Sequence, residues 1–165
     1  MTCLSRLATV LLLAASAATA QDTEINRQSL KGLKGVYVLV ESLQPGAERD
    51  GLNKTSIQTD VELKLRQAGI MVLTEAESFE TPGAPHLYIN LNTRSGSVYA
   101  FSINVRLRQT VRLDRDPSMQ LSAVTTWSEE ALGIIGRDNL REIRDYIKDY
   151  VDQFINAYLS VNPKK

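Results

Sequence analysis

The stretch Tyr99–Leu113, YAFSINVRLRQTVRL, decides the fold. Tyr99, Phe101, Ile103, Val105 and Leu107 point one way, and Val111 and Leu113 continue that row after Gln109. Ser102, Asn104, Arg106, Arg108, Thr110 and Arg112 point the other way. Side chains alternate between faces along a strand, so this is one long half-buried strand with an apolar inner face and a polar outer one. Its length adds a constraint. Val98–Leu113 is 16 residues, ~50 Å when extended at about 3.3 Å per residue. The helix expected over Asn139–Val161 covers only ~35 Å at about 1.5 Å per residue. The strand must bend at a bulge or project beyond the helices, and Gln109, where polarity interrupts the inner row, is the place for either. The tip from Thr110 to Ser118 is expected to extend past the helices.

Working outward, Asp114-Arg115-Asp116-Pro117-Ser118 turns the chain, and Met119–Ser128 returns as the hairpin partner. Its expected inward row is Leu121, Ala123, Thr125 and Trp127. Upstream, Leu87, Ile89 and Leu91 alternate with Tyr88, Asn90 and Asn92, a second half-buried strand. Val36–Val40 is a β-branched apolar run typical of a strand buried on both faces. Ile70–Thr74 is a further short strand. Between these two, Ile57, Val61, Leu65 and Ala68 share one helical face. Asn53 caps that helix, Leu52 staples onto Ile57, and Gly69 with Ile70 closes it, giving Lys54–Ala68. Gln44–Gly51 reads as a loop. Glu75–Pro85, rich in glutamate, proline and glycine, reads as an exposed mobile connection. Glu129–Arg137 reads as a glycine-containing connection whose Leu132, Ile134 and Ile135 either tuck under the helices or, given the neighbouring glycines, form a mobile apolar loop that docks on a partner. Asp138 then caps a long helix with the stripe Leu140, Ile143, Ile147, Val151, Phe154, Ile155, Tyr158 and Leu159. Tyr146, Tyr150 and Tyr158 lie beside that stripe and are expected to pack at the core or its edge.

The order is β-α-β-β-β-β-α. Strands with one apolar face and two one-sided helices resolve into an α+β two-layer sandwich: a mostly antiparallel sheet with both helices on one face. The other face carries the arginines.

Residues 1–20 have the three-part order of a cleaved secretory signal. Arg6 precedes the apolar run Leu7–Leu13, and small residues end in Ala18-Thr19-Ala20. The run is shorter than the ~20 residues that span a bilayer. The mature chain is expected to begin at Gln21, with a flexible leader over 21–32 and a single domain over 33–165. Acidic and basic residues balance at 19 each, which gives no reason to expect nucleic-acid binding through bulk charge. The only cysteine, Cys3, precedes the apolar run, where a lipoprotein cysteine would follow it. No lipid anchor, disulfide or thiolate chemistry is therefore expected in the mature chain. A periplasmic location suits an exported domain that relies on its core alone, with secretion as the alternative.

Catalytic chemistry is thinly supplied. One histidine, His86, stands at a strand entrance beside a Pro-Gly loop and reads as a strand-end surface residue. No G-x-S-x-G elbow, no clustered His or Cys ligands and no phosphate-binding glycine loop occurs, so neither a cofactor nor a metal is called for. Glu75, Glu77 and Glu80 lack the ligand spacing of a calcium cage. The best candidate is the row Asn104, Arg106, Arg108, Thr110, Arg112, with Arg115 in the turn. Alternate residues stand ~7 Å apart on one strand face. Guanidinium forks match carboxylates and phosphates, so the row suits an anionic ligand or an acidic partner surface. The competing reading is a solvated sheet face whose arginines pair with neighbouring acids.

The element order over Leu33–Leu159 resembles a group of Gram-negative envelope domains. These are the lipopolysaccharide-assembly component LptE, the N-terminal domain of TolB and the periplasmic part of CsgG. Thr126-Trp127-Ser128, Gly133 with Gly136, Asp152 with Phe154, and Tyr158-Leu159 with Asn162 also resemble an uncharacterised exported bacterial family. The resemblance implies an envelope protein or an anionic envelope component as partner, and it carries over no functional residue. The expectation is a non-catalytic periplasmic binding or envelope-assembly module acting through its polar sheet face, edge strand or hairpin tip. A carrier or sensor of a small anionic ligand, and an enzyme of unfamiliar type, are the alternatives.

Overall fold

The computed structural model describes residues 22–163. The signal-sequence reading of residues 1–20, Cys3 included, lies outside them. In chain order the elements are α1 (Glu24–Gln28), β1 (Gly35–Val40), α2 (Pro45–Arg49), α3 (Lys54–Gln67), β2 (Met71–Leu73) and α4 (Glu75–Glu80). These are followed by β3 (His86–Ser95), β4 (Tyr99–Leu113), β5 (Asp116–Ile135), a 3-10 turn over Arg137–Glu142 and α5 (Ile143–Val161). One five-stranded sheet runs β2-β1-β3-β4-β5. β1 is parallel to β2 and β3, whereas β4 is antiparallel to both of its neighbours, β3 and β5. This is the α+β architecture that the alternation pattern implies.

The core sits between the sheet and the pair α3 and α5. Ile103, Val105 and Leu107 of β4, Leu87 and Ile89 of β3, and Val36 and Val38 of β1 are sealed from solvent. They pack with Ile57, Val61 and Leu65 of α3 and with Ile147, Val151 and Phe154 of α5. Each such side chain stabilises the fold by about 1.5–3 kcal/mol relative to exposure. Lys64 Nζ to Asp152 (2.6 Å) and Arg144 Nη2 to Asp60 (2.7 Å) tie the two helices together at their outer rims.

The start and stop signals of α3 act as its sequence dictates. Asn53 Oδ1 accepts the Ser56 N–H (2.9 Å). Gly69 takes φ +81°, so Ile70 N–H reaches Leu65 O (2.9 Å) and Gly69 N–H reaches Arg66 O (3.0 Å), a Schellman closure.

Several expectations are corrected. The segment read as a leader forms α1, capped by Thr23 and held by Leu30, which is fully buried. Asn162 closes over it, donating to Leu30 O and accepting from Gly32 N–H. Gln44–Gly51 holds α2, started by Pro45 at a position that needs no N–H. Glu75–Pro85 holds α4, whose capping box pairs Thr74 with Glu77 reciprocally. α4 lies on the face opposite α3 and α5, because Ser78 and Phe79 contact His86, which points away from the core-facing Leu87. Asp138 does not cap α5; it lies in the 3-10 turn, and the helix starts at Ile143.

The largest correction concerns β5, which continues through Ile135. Tyr99↔Ile135 to Leu107↔Trp127 is an unbroken antiparallel ladder. The register then shifts between Leu107 and Arg108 and again between Gln109 and Val111, where Ala123 adopts φ +54°. Both shifts insert extra residues into β5, the signature of bulges, and a third shift between Arg112 and Leu113 follows at the turn. The inward row therefore ends at Trp127. Leu121, Ala123 and Thr125 are exposed, and Val111 and Leu113 are only half-buried. Trp127 itself is sealed, edge-on to Phe154 (5.3 Å between centroids), with its indole N–H donating to Asp22 (3.1 Å).

Candidate functional site

The face of the sheet turned away from α3 and α5 carries the sequence-predicted residues, and β3–β4 register decides their neighbours. Asn104 stands opposite Asn90, Arg106 opposite Tyr88, and Arg108 opposite His86. The Arg108 guanidinium carbon lies 3.5 Å above the Tyr88 ring centre, a close cation–π contact. Tyr88 O–H and Asn90 Nδ2 both donate to Glu41 at the end of β1. The Tyr88 hydrogen bond, with Asn90 and the Arg108 charge behind it, holds the Glu41 carboxyl below the usual carboxylate range. Burial, reinforced by the Glu41 bond, pushes the Tyr88 phenol up. Arg106 Nη2 donates to Asn104 Oδ1 (2.8 Å) and lies 3.7 Å from the Glu130 carboxylate. Arg106 and Arg108 are thus engaged by neighbours on their own face.

The remaining candidates sit elsewhere. Gln109 is the hinge of the hairpin: its amide donates to Thr126 Oγ1 (2.8 Å) and to Ser29 O (3.3 Å). Thr110 N–H donates to Gly83 O (2.7 Å), tying the strand to the loop before β3. Beyond this point no residue from 111 to 126 is buried, so the hairpin leaves the layer the helices cover. Arg112 and Arg115 are exposed on this arm and make no hydrogen bond or ion pair with the described residues. The row of six is therefore two groups. Asn104, Arg106 and Arg108 lie in a hydrogen-bonded face, Arg112 and Arg115 on a free arm, and Thr110 at the joint.

His86 has a structural partner set. Its Nε2 is 3.0 Å from Ser78 Oγ, which donates to Glu75 O (2.6 Å), and its ring meets Tyr37 and Phe79 edge-on. Ser78 is fully buried and burial lowers the imidazole pKa. This arrangement staples α4 to the sheet and offers no accessible nucleophile. Among the described residues, no three His, Cys, Asp or Glu side chains converge as metal ligands.

Sequence reading missed two places. Glu129 is opposite Val105 on the core side of β5 and is 3% exposed. Burial, with a smaller contribution from the nearby Asp22 charge, raises its carboxyl from 4.5 to about 7. Alternation from Trp127 would have placed it inward, had the strand been carried past Ser128. At the far end of β3 and β4, Tyr99 O–H donates to Asp50 (2.6 Å), and Arg137 bonds both Asp50 and Gly96 O. Beside them a cavity of about 440 Å³ opens between α2 and the end of β3. Comparisons with protein-family models, curated proteins and solved structures return no match to this chain.

Proposed function

We propose that this chain is an exported, non-catalytic binding or envelope-assembly module that docks a protein partner through the hairpin arm and the adjoining free edge of β5. The observation that carries this reading is the arm: from residue 111 to 126 no side chain of the hairpin is fully buried, yet it is a paired, placed structure. A two-stranded ribbon standing off a domain gains little stability for its own fold. Its surface carries Met119 (46% exposed) and Leu121 (39% exposed) beside Arg112, Asp114 and Arg115. Apolar anchors rimmed by mixed charge suit a protein surface, with association sensitive to salt.

The edge supports the same reading. β5 is a 20-residue edge strand. Its outer half is guarded against strand addition by Pro117 and two bulges. The ladder is regular from Trp127 to Ile135; the segment around α1 flanks its start, where Ser29 Oγ donates to Thr126 O and Asp22 accepts from Trp127, while Leu132 (86% exposed) and Ile134 (74% exposed) stand on the open face of its far half. An extended partner segment can add there by strand pairing. The rival reading, a carrier of small anions on the arginine row, is less favoured because Arg106 and Arg108 are already engaged. The engagement of His86 supports a non-catalytic role. No helix among the described residues is long and apolar enough to cross a membrane, and the N-terminal pattern supports export to the periplasm.

The test is site-specific photo-crosslinking in the native envelope. A crosslinker at Met119 or Leu132 should trap one discrete partner band, and one at Glu62 on the helical side should not. Replacing residues 112–122 by a two-residue turn should abolish the Leu132 band while leaving the far-UV spectrum and cooperative melting intact. Equal labelling from all three positions would refute the assignment.

A further inference from the structure

Beyond the docking surfaces, we infer that the cavity between α2 and the end of β3 is a binding site for a small hydroxylated anion, a sugar acid or sugar phosphate. The core-facing row of β3 reads Leu87, Ile89, Leu91 and then changes to Thr93 and Ser95, where the sheet passes under α2. The change from apolar to hydroxyl coincides with the cavity, which Thr93, Ser95, Gly46, Arg49 and Arg94 all line. Its volume of about 440 Å³ falls within the range of small-molecule sites.

Thr93 Oγ1 is buried and has no hydrogen-bond partner. A desolvated hydroxyl without a partner is costly and rare, so each instance calls for a group that completes it. Valine would fit the same space without that cost. At the mouth, Arg49 and Arg94 are exposed and form no hydrogen bond or ion pair with the described residues. The Asp50 carboxylate close by accepts at Oδ2 from both Tyr99 and Arg137, and the Tyr99 bond, with the Arg137 and Arg49 charges, brings its pKa down. Two exposed guanidiniums over two hydroxyls match a ligand with an anionic group at one end and neutral oxygens at the other.

Gly46 keeps the space open. A Cβ there would stand 3.6 Å from Tyr99 Oη and 4.0 Å from Ser95 Oγ, in ordinary contact, so a larger side chain would enter the cavity without disturbing the backbone.

Calorimetric titration of the mature chain with galacturonate and glucose 1-phosphate, against neutral glucose and inorganic phosphate, tests the assignment. Either or both of the first pair should bind, and the controls should bind at least about tenfold more weakly, the worth of one lost charged or polar contact. Arg94→Gln and Gly46→Leu should each weaken binding by at least the same factor. Thr93→Val is the discriminating variant: it should weaken binding while its melting temperature is no lower than that of the wild type. Three outcomes overturn the inference: neither sugar anion binding, inorganic phosphate binding as tightly as the sugar anions, or Thr93→Val and Gly46→Leu leaving affinity unchanged.

Discussion

Replacing Glu129 by Gln should remove a pH dependence of stability. Glu129 lies on the core side of β5, 3% exposed, with Asp22 and Tyr150 as its titratable neighbours and no cation in ion-pairing reach. Burial raises its carboxyl from 4.5 to about 7. Below pH 4.5 both folded and unfolded chains hold this proton, and the residue adds no pH dependence. Between 4.5 and 7 the unfolded chain releases the proton while the folded chain keeps it, so stability falls as pH rises. Above 7 the loss is complete. At ~1.4 kcal/mol per pKa unit, the full loss is on the order of 3 kcal/mol. Glutamine has the same shape and does not titrate. Urea melts of wild type and Glu129→Gln at pH 5 and pH 8 give the comparison. The variant should gain about 2.5 kcal/mol relative to wild type between the two pH values, since part of the loss has already occurred at pH 5. Any constant offset from burying an amide cancels in that difference. A stability difference that is the same at both pH values would refute the account. Asp22 and Asp50, whose pKa values are depressed by their hydrogen bonds to Arg27 and Tyr99, act in a separate window: their contribution is lost only as pH falls below the ordinary carboxylate range.

Four further outcomes are expected. Ile103→Ala, at a fully buried site, should cost ~2–5 kcal/mol in denaturant melts, whereas Arg106→Ala should stay within roughly ±0.5 kcal/mol, because its ion pair is half-exposed. Gly133→Ala should destabilise by about 1–3 kcal/mol, since its Cβ would fall 2.5 Å from the Phe101 ring; Phe101→Leu in the same chain should recover part of that loss. Asn53→Ala should cost about 1 kcal/mol by leaving the Ser56 N–H without its cap. Intact mass of the chain isolated from the envelope should correspond to a start at Gln21; a retained first segment, or an acyl mass on Cys3, would overturn the export reading.

What was legible in the sequence was local and periodic. The alternation of Tyr99–Leu107 named the core face, and the Asn53 and Gly69 signals bounded α3 to within a residue. Thr74-x-x-Glu77 was legible as well, as a capping box, but the proline and glycine that follow suggested a loop; a six-residue helix needs only its cap and the His86 contact to hold. What was not legible depended on pairing between distant segments. Glu129-Glu130 interrupts the alternation that would extend β5, and Gly133 lowers strand preference, yet the regular ladder of β4 supplies partners for every residue from Trp127 to Ile135. Tertiary pairing overrides local preference there. The same ladder explains Leu132 and Ile134: counting by twos from the buried Trp127 leads to the buried Ile135 and leaves them on the open face, away from the helices that apolar residues would otherwise seek.

The arginine row shows the limit of periodicity in a sharper form. Period two fixes which face a side chain takes only while the register is unbroken. From Asn104 to Arg108 it is unbroken against β3, and Tyr88 and Asn90 share a face with Arg106 and Arg108. After Gln109 the face is no longer a property of β4 alone, because two extra residues in β5 bend the ribbon off the sheet. Bulges are written in the partner strand, in Thr126 and Ala123, where a sequence of exposed small and polar residues carries no mark of them. Gln109 was the one residue that announced the break: a polar side chain in an apolar row, satisfied by Thr126 Oγ1 across the bulge and by the Ser29 carbonyl of the segment after α1. That satisfaction is also what makes the arm available. The amide fixes the base of the ribbon to the domain, so the arm beyond it can be presented to a partner without the core having to move.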